Sequence, residues 1–76
     1  STFNKPVESN TVFVADVGLT GELKNIPALD IRLREAERMG FRKAYISKYA
    51  NVKKENYKNL QIIQVSNISE LIQKIF

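Results

Sequence analysis

The chain has 76 residues, a net charge of +4 and neither cysteine nor histidine. A chain of this length forms at most one small domain, which buries only about 60% of the surface that the unfolded chain exposes. The missing residue types exclude disulfides, thiolate metal sites and Ser-His-Asp catalysis. The lack of cysteine fits a cytoplasmic protein, and no apolar run approaches the roughly 20 residues of a membrane span.

A hairpin is predicted near the start of the chain. Residues 1–10 are polar and are expected to form a linker or the end of an upstream helix, so that the domain proper is expected to cover residues 11–76. Residues 11–17 are β-branched and apolar nearly throughout, which predicts a strand buried on both faces. Gly18–Gly21 predicts a turn, because glycine tolerates positive φ. Residues 22–26 predict a short strand antiparallel to the first.

A charged helix is predicted after this hairpin. Pro27 suits its first turn, because the missing N–H of proline would have no hydrogen-bond partner there, and Asn25 or Ile26 would be its cap. Gly40 is expected to end it. Apolar residues at helical spacing predict its buried face, namely Leu29, Leu33 and Ala36.

The second half of the chain predicts two more strands and a second main helix. Residues 43–47 and 60–65 have the composition of strands. Residues 48–59 between them are polar and basic, with a possible short helix around residues 52–57. The last helix has apolar residues at helical spacing, namely Ile68, Leu71, Ile72, Ile75 and Phe76. The pattern predicts an α/β (α+β) domain, a small mixed sheet of about four strands with two main helices packed against it.

The start of the last helix has a capping signature. Asn67 and Glu70 stand three residues apart, as in a capping box. Ser66 and Ser69 lie at the same helix start, where capping is the usual role of serine. A Ser–Lys catalytic dyad needs a serine beside a lysine. Ser47 and Lys48 are neighbours at a strand end, where adjacent side chains point to opposite faces and are poorly placed to meet.

Three acids in the first half invite a comparison with a metal site. Asp16, Glu22 and Asp30 could supply oxygen ligands to a hard cation. The sequence has no acid-rich loop of the needed density, however, and Asp30 suits a first helical turn, where the helix dipole favours an acid. Asp30 and Arg34 also have the spacing of an exposed ion pair. The structural interpretation is favoured, and no metal site is expected.

Positive charge is concentrated in residues 32–58, which contain nine basic and three acidic residues. Tyrosines 45, 49 and 57 alternate with the lysines there, and aromatic rings among lysines can stack on bases while the charges meet phosphates. The alternative is that Tyr45 belongs to the core and the lysines form a solvated face. Judged from this segment alone, the alternative is the favoured interpretation. The candidate DNA-binding residues are Arg34, Arg38, Arg42, Lys43, Lys48, Lys53, Lys54 and Lys58.

Three segments carry a resemblance to a known family. The most specific is residues 12–23, which includes the run Val17-Gly18-Leu19-Thr20-Gly21-Glu22. Residues 32–43 and 62–76 support it in the same order. Together they resemble the C-terminal domain of the RadA (Sms) family of bacterial DNA-repair proteins, and residues 1–6 resemble the end of the helix that precedes it. The chain is therefore expected to be a piece of a longer protein.

The RadA domain is itself similar to the proteolytic domain of Lon, which implies a Lon-like fold. In Lon, the lysine of a catalytic Ser–Lys dyad follows the corresponding Thr-Gly-Glu. That position falls on Asp30 here, and the serine corresponds to a position upstream of Ser1. An aspartate cannot replace a lysine whose neutral amine takes a proton from serine. The resemblance therefore implies a peptidase fold without the dyad, with no catalytic residue in this chain.

The resemblance also implies a function. RadA-like proteins join a zinc-binding segment and an ATPase core to this domain, form hexameric rings on DNA and promote branch migration in recombination. ATP, magnesium and zinc would belong to those other parts, with no cofactor or small-molecule substrate here. This domain would then be a non-catalytic accessory domain that acts in ring assembly and DNA contact. The alternatives are a plain oligomerisation module without nucleic-acid contact and a residual Ser–Lys peptidase.

Overall fold

The computed structural model describes residues 9–76, and it confirms the α/β class. Most of the expected N-terminal linker lies outside the described residues. In chain order the elements are β1 (Thr11–Phe13), β2 (Asp16–Val17), β3 (Leu23–Lys24), α1 (Leu29–Arg38), β4 (Lys43–Ser47), a 3-10 helix (Lys54–Asn56), β5 (Gln61–Val65) and α2 (Ile68–Ile75).

The strands divide between two sheets. Strands β1, β4 and β5 form a parallel sheet in that spatial order, so β4 is central. Its register places Val12 beside Ala44 and Ala44 beside Ile62. Strands β2 and β3 form a separate antiparallel ribbon. The ribbon contacts the start of α2, where the Leu23 N–H donates to the Ser66 carbonyl and the Ile68 N–H donates to that of Gly21.

The prediction of a single strand over residues 11–17 is wrong. The chain forms β1, leaves the parallel sheet after Val14, whose N–H still donates to the Tyr45 carbonyl at 2.9 Å, and then enters the ribbon as β2. Both residues of β2 are exposed, and no residue of β1 is fully buried. The physical reason is that β1 lies at the edge of the parallel sheet. Only the central strand of such a small sheet is covered on all sides. Strand β4 has that environment, with four buried residues.

Apolar residues cover both faces of the parallel sheet. On one face, Ala44, Ile46 and Ile62 pack against the buried face of α1, which consists of Leu29, Leu33 and Ala36 as predicted. On the other face, Tyr45 and Val65 pack with Leu71 of α2 and Leu23 of the ribbon. Successive side chains of β4 point to opposite faces of the sheet, so Ala44 and Ile46 pack in one core and Tyr45 packs in the other.

Helix α1 begins later than predicted. Pro27 lies before the helix, and neither Asn25 nor Ile26 caps it. The N-cap is Ala28, in the left-handed conformation with φ 56° and ψ 40° and without a side-chain cap. Ile26 and Leu29 pack against the same core, and the left-handed residue between them supplies the turn. The end of the helix is as predicted, because Gly40 follows it with φ 96°.

The predicted cap of α2 is confirmed. The Asn67 side chain accepts a hydrogen bond from the Glu70 N–H at 2.8 Å. The Glu70 carboxylate accepts from the Ser66 N–H at 2.7 Å and from its hydroxyl at 2.9 Å, one residue earlier than in a standard capping box. These bonds from Ser66, backbone first, hold the pKa of Glu70 below its ordinary value.

Candidate nucleic-acid interface

Residues 48–60, the basic connection, join the parallel strands β4 and β5. Such crossovers are usually helical, but here the regular structure is limited to the 3-10 helix, which is the short helix predicted from the sequence. Ala50, Tyr57 and Leu60 are buried and pack with Leu33 of α1 in the same core. The basic connection therefore lies beside α1 on one face of the sheet.

A tight turn begins the basic connection. The Ala50 N–H donates to the Ser47 carbonyl at 3.1 Å. Ser47 has no exposed surface. Its hydroxyl donates to the Leu23 carbonyl at 2.9 Å and accepts from the Tyr49 N–H at 3.1 Å. The Ser47 side chain therefore links the turn to the β2–β3 ribbon.

Gln64 of β5 holds the same turn from the neighbouring strand. Its amide nitrogen is a donor to the carbonyls of Ser47 at 3.2 Å, Lys48 at 3.4 Å and Ala50 at 3.0 Å. Gln64 was not among the residues singled out from the sequence. Its signal was a polar amide inside the otherwise apolar run from Ile62 to Val65.

The structure separates the three tyrosines of the basic segment. Tyr45 is 5% exposed and Tyr57 is 6% exposed, and both belong to the core. Tyr49 is 71% exposed, and the Lys48 ammonium lies 5.0 Å from the centre of its ring. The core interpretation of Tyr45 is confirmed and also holds for Tyr57. Tyr49 is thus the one of the three that can meet a base.

Arg34 packs on an aromatic ring of the basic connection. Its guanidinium carbon lies 5.2 Å from the centre of the Tyr57 ring, and the Tyr57 hydroxyl lies within 3.5 Å of the Asp30 carbonyl. Burial raises the pKa of Tyr57. The predicted ion pair between Asp30 and Arg34 is therefore replaced by a cation–π contact, and the ion pair on α1 joins Glu35 to Arg38.

The eight candidate residues fall into three groups. Lys48, Lys53, Lys54 and Lys58 are exposed on the basic connection, whose single acid is Glu55. Arg34 and Arg38 lie on α1 among acids, and Arg42 and Lys43 lie at the start of β4. The length of β4, at about 3.3 Å per residue, separates this last group from Lys48. The other end of the basic connection returns to the group, because the Gln61 N–H donates to the Arg42 carbonyl at 2.8 Å.

Asp30 lies beside a groove between the start of α1 and the basic connection. The groove has a volume of about 480 Å³. Its lining includes Arg34, Asn51, Lys53 and Tyr57, and it contains no serine among the described residues. Ser47 is buried and Lys48 is exposed, so these neighbours point apart as predicted.

Residues 9–76 contain neither a metal-binding cluster nor a membrane-spanning helix. No three histidine, cysteine, aspartate or glutamate side chains lie together there as a metal ion would require. No helix in this range has the length and apolar character to cross a membrane.

No family model matches the chain. Among known proteins, it is 34% identical over 73 residues to the DNA repair protein RadA of Streptococcus pneumoniae, which is 96% of this chain and 17% of that protein. It is 31% identical over 71 residues to RadA of Listeria monocytogenes (93% and 16%). It is 38% identical over 72 residues to RadA of Aquifex aeolicus (95% and 16%).

These matches cover nearly all of this chain but a small part of each relative. The chain spans about a sixth of the length of the curated relatives that it matches. Over nearly its whole length, the chain is related to a short segment of proteins named DNA repair protein RadA.

Proposed function

We propose that this chain is a non-catalytic accessory segment of a RadA-like DNA-repair protein and that it contacts DNA through the basic connection. The observation that carries the proposal is the similarity to DNA repair proteins named RadA along 96% of the chain. The exposed lysines of the basic connection supply the chemistry, because lysine side chains neutralise phosphates and release their counterions.

The balance of charge favours the basic connection over α1. The basic connection contains four exposed lysines and one acid, Glu55, whereas α1 contains three basic and three acidic residues. On α1, Glu35 pairs with Arg38, and Glu37 accepts a hydrogen bond from the Asn59 N–H at 2.9 Å. The excess of positive charge is therefore larger on the basic connection than on α1, although Glu37 lies beside the connection at Asn59.

The absence of peptidase chemistry is part of the proposal. Asp30 occupies the position of the lysine in the resembling peptidases, and the groove beside it offers no serine from the described residues. A carboxylate next to Arg34 and Lys53 cannot act as the neutral amine that such a dyad needs.

The test is a fluorescence titration of single-stranded and duplex DNA with the chain at 50 and 200 mM salt. We expect Lys53→Ala/Lys54→Ala/Lys58→Ala to weaken binding at least tenfold at 50 mM salt and to flatten the salt dependence. Each lost phosphate contact removes about 0.7 to 0.9 from the slope of log affinity against log salt.

The matched control is Lys24→Ala/Arg32→Ala/Lys74→Ala, which removes the same charge from exposed positions outside the basic connection. An equal loss in this control would show that net charge alone binds DNA. No binding of the unchanged protein at 50 mM salt would refute DNA contact altogether.

Self-association is a second candidate function, supported by a different surface. An open groove of about 820 Å³ runs between β1 and α1. Phe13, Ile31 and Met39 line it and are exposed, and β1 is an edge strand of the sheet. Edge strands and exposed apolar side chains favour association. Light scattering that finds a strict monomer at high concentration would count against it.

A further inference from the structure

We propose that Tyr49 and Lys48 form a stacking platform for an unpaired base, so that the basic connection binds DNA as a single strand. This inference rests on the proposed contact with DNA and names its substrate class. It places one base on the ring of Tyr49 and the adjoining phosphate beside the ammonium of Lys48.

The backbone beneath Tyr49 is held in place from several directions. Its N–H donates to the buried Ser47 hydroxyl at 3.1 Å. The Gln64 amide donates to the carbonyls on either side of it, those of Lys48 and Ala50. The Lys48 N–H donates to the Val65 carbonyl at 2.9 Å. A ring on such a fixed backbone loses little conformational freedom on binding, and this favours affinity.

The ring itself remains open to a ligand. Tyr49 is 71% exposed, although the backbone that carries it lies directly beside the core residue Ala50. The Lys48 ammonium lies 5.0 Å from the ring centre. Since that ammonium lies over one face of the ring, a base would stack on the other face, and the adjoining phosphate would pair with the charge.

Stacking requires the face of a base rather than its edge. In a duplex both faces are covered by neighbouring base pairs, and proteins reach only the base edges in the grooves. An unpaired strand presents the faces. Tyr45 and Tyr57 are buried, so stacking on the basic connection falls to Tyr49.

The experiment uses the 76-residue chain and three probes of equal length: a thymine oligonucleotide, the same backbone with abasic sites throughout, and a duplex. We expect Tyr49→Ala to weaken binding to the thymine strand about fivefold or more, the lower end of the effect of stacking on one base. Binding to the abasic strand and to the duplex should change less than about twofold, because neither offers a free base face. Tyr49→Phe, which keeps the ring, should bind the thymine strand within about twofold of the unchanged protein.

Each other outcome has a definite meaning. If Tyr49→Ala leaves thymine binding intact, or weakens abasic and duplex binding equally, the stacking platform is refuted while DNA contact stands. If the unchanged protein binds none of the probes, the proposed function fails and this inference with it. Thermal melts of both variants exclude unfolding as a cause, since the exposed ring contributes little to the core.

Discussion

The two helices cover opposite faces of the same parallel sheet, and they begin in different ways. Helix α2 starts at Asn67, whose side chain accepts from the Glu70 N–H, and the Glu70 carboxylate in turn accepts from Ser66. Helix α1 starts at Ala28, a left-handed residue without a side-chain cap. Local side chains therefore define the start of α2, whereas packing of Ile26 and Leu29 against the core defines the start of α1.

The comparison shows why a weak helix start is tolerated. The first N–H groups of any helix lack intrahelical partners, and a side-chain cap is worth about 1 kcal/mol. Burial of a complete leucine side chain is worth more than that. Three residues of α1 are buried, compared with one in α2. Helix α1 can therefore form without a side-chain cap, whereas the stability of α2 depends more on its cap.

The largest predicted effect is on the buried face of α1. Leu33 is 0% exposed, and Leu33→Ala should lower the free energy of unfolding by about 3 kcal/mol through lost burial and a new cavity. The measurement is chemical denaturation. Ile31→Ala on the same helix is the control, because Ile31 is 66% exposed. Similar losses in the two variants would show that α1 does not depend on its buried face.

A smaller effect is predicted at the start of α1, and it has the opposite sign. The left-handed conformation of Ala28 costs an L-residue about 1 kcal/mol, and glycine adopts it without that cost. Ala28→Gly should therefore raise the free energy of unfolding by about 0.5 kcal/mol, after the greater freedom of glycine in the unfolded chain is subtracted. Chemical denaturation of the two proteins side by side measures the difference.

The control for this change is Ala15→Gly, because Ala15 does not have positive φ and the substitution there should destabilise the protein. If both glycine variants lose stability to the same degree, the left-handed start of α1 carries no strain.

The smallest predicted effect concerns the cap of α2 and depends on pH. The pKa of Glu70 is lowered from its ordinary value of 4.5 by its hydrogen bonds from Ser66, so the charged carboxylate stabilises the fold at neutral pH. This contribution is lost as the pH falls from that ordinary value through the lowered pKa. Glu70→Gln keeps an acceptor but no charge. The unchanged protein should therefore melt higher than Glu70→Gln at pH 7, and the gap between their melting temperatures should narrow as the pH falls below 4.5.

Ser66→Ala provides the check on this explanation. It removes the hydroxyl donor but keeps the backbone N–H of residue 66. Glu70→Gln is then introduced into the Ser66→Ala variant. The difference in melting temperature that it causes at pH 7 should be smaller than in the unchanged protein, but it should not be zero. A gap that is constant from pH 7 to pH 3 would mean that the charge of Glu70 does not support α2.

The sequence predicted the features that depend on near neighbours. The end of α1 at Gly40, the strand at residues 43–47 and the cap formed by Asn67 and Glu70 are all confirmed. Each follows from backbone conformation, from an apolar run of residues or from side-chain reach over a few residues. The start of α1 was predicted wrongly at Pro27 because Ile26 and Leu29 pack against a core whose other residues are distant in sequence. Rules based on neighbouring residues do not include those contacts.

The candidate site was only partly predictable for the same reason. The lysines of the basic connection were visible as a charge excess, and their exposure follows from their chemistry. The alternation of tyrosines and lysines could not show that Tyr57 is buried against α1 while Tyr49 is exposed. The roles of Ser47 and Gln64 depend on a contact between adjacent strands, and only the sheet register establishes it.

The turn of the β2–β3 ribbon links two positions in a way that bears on how the sequence can change. The Glu22 carboxylate accepts from the Thr20 hydroxyl and from its N–H, and these bonds, led by the hydroxyl, hold the pKa of Glu22 below its ordinary value. A Cβ atom on Gly18 would lie 1.7 Å from that carboxylate. A side chain at position 18 would therefore displace the carboxylate from the turn. The flexible Glu22 side chain can rotate away, so the cost of a substitution at Gly18 is the loss of the hydrogen bonds between Thr20 and Glu22.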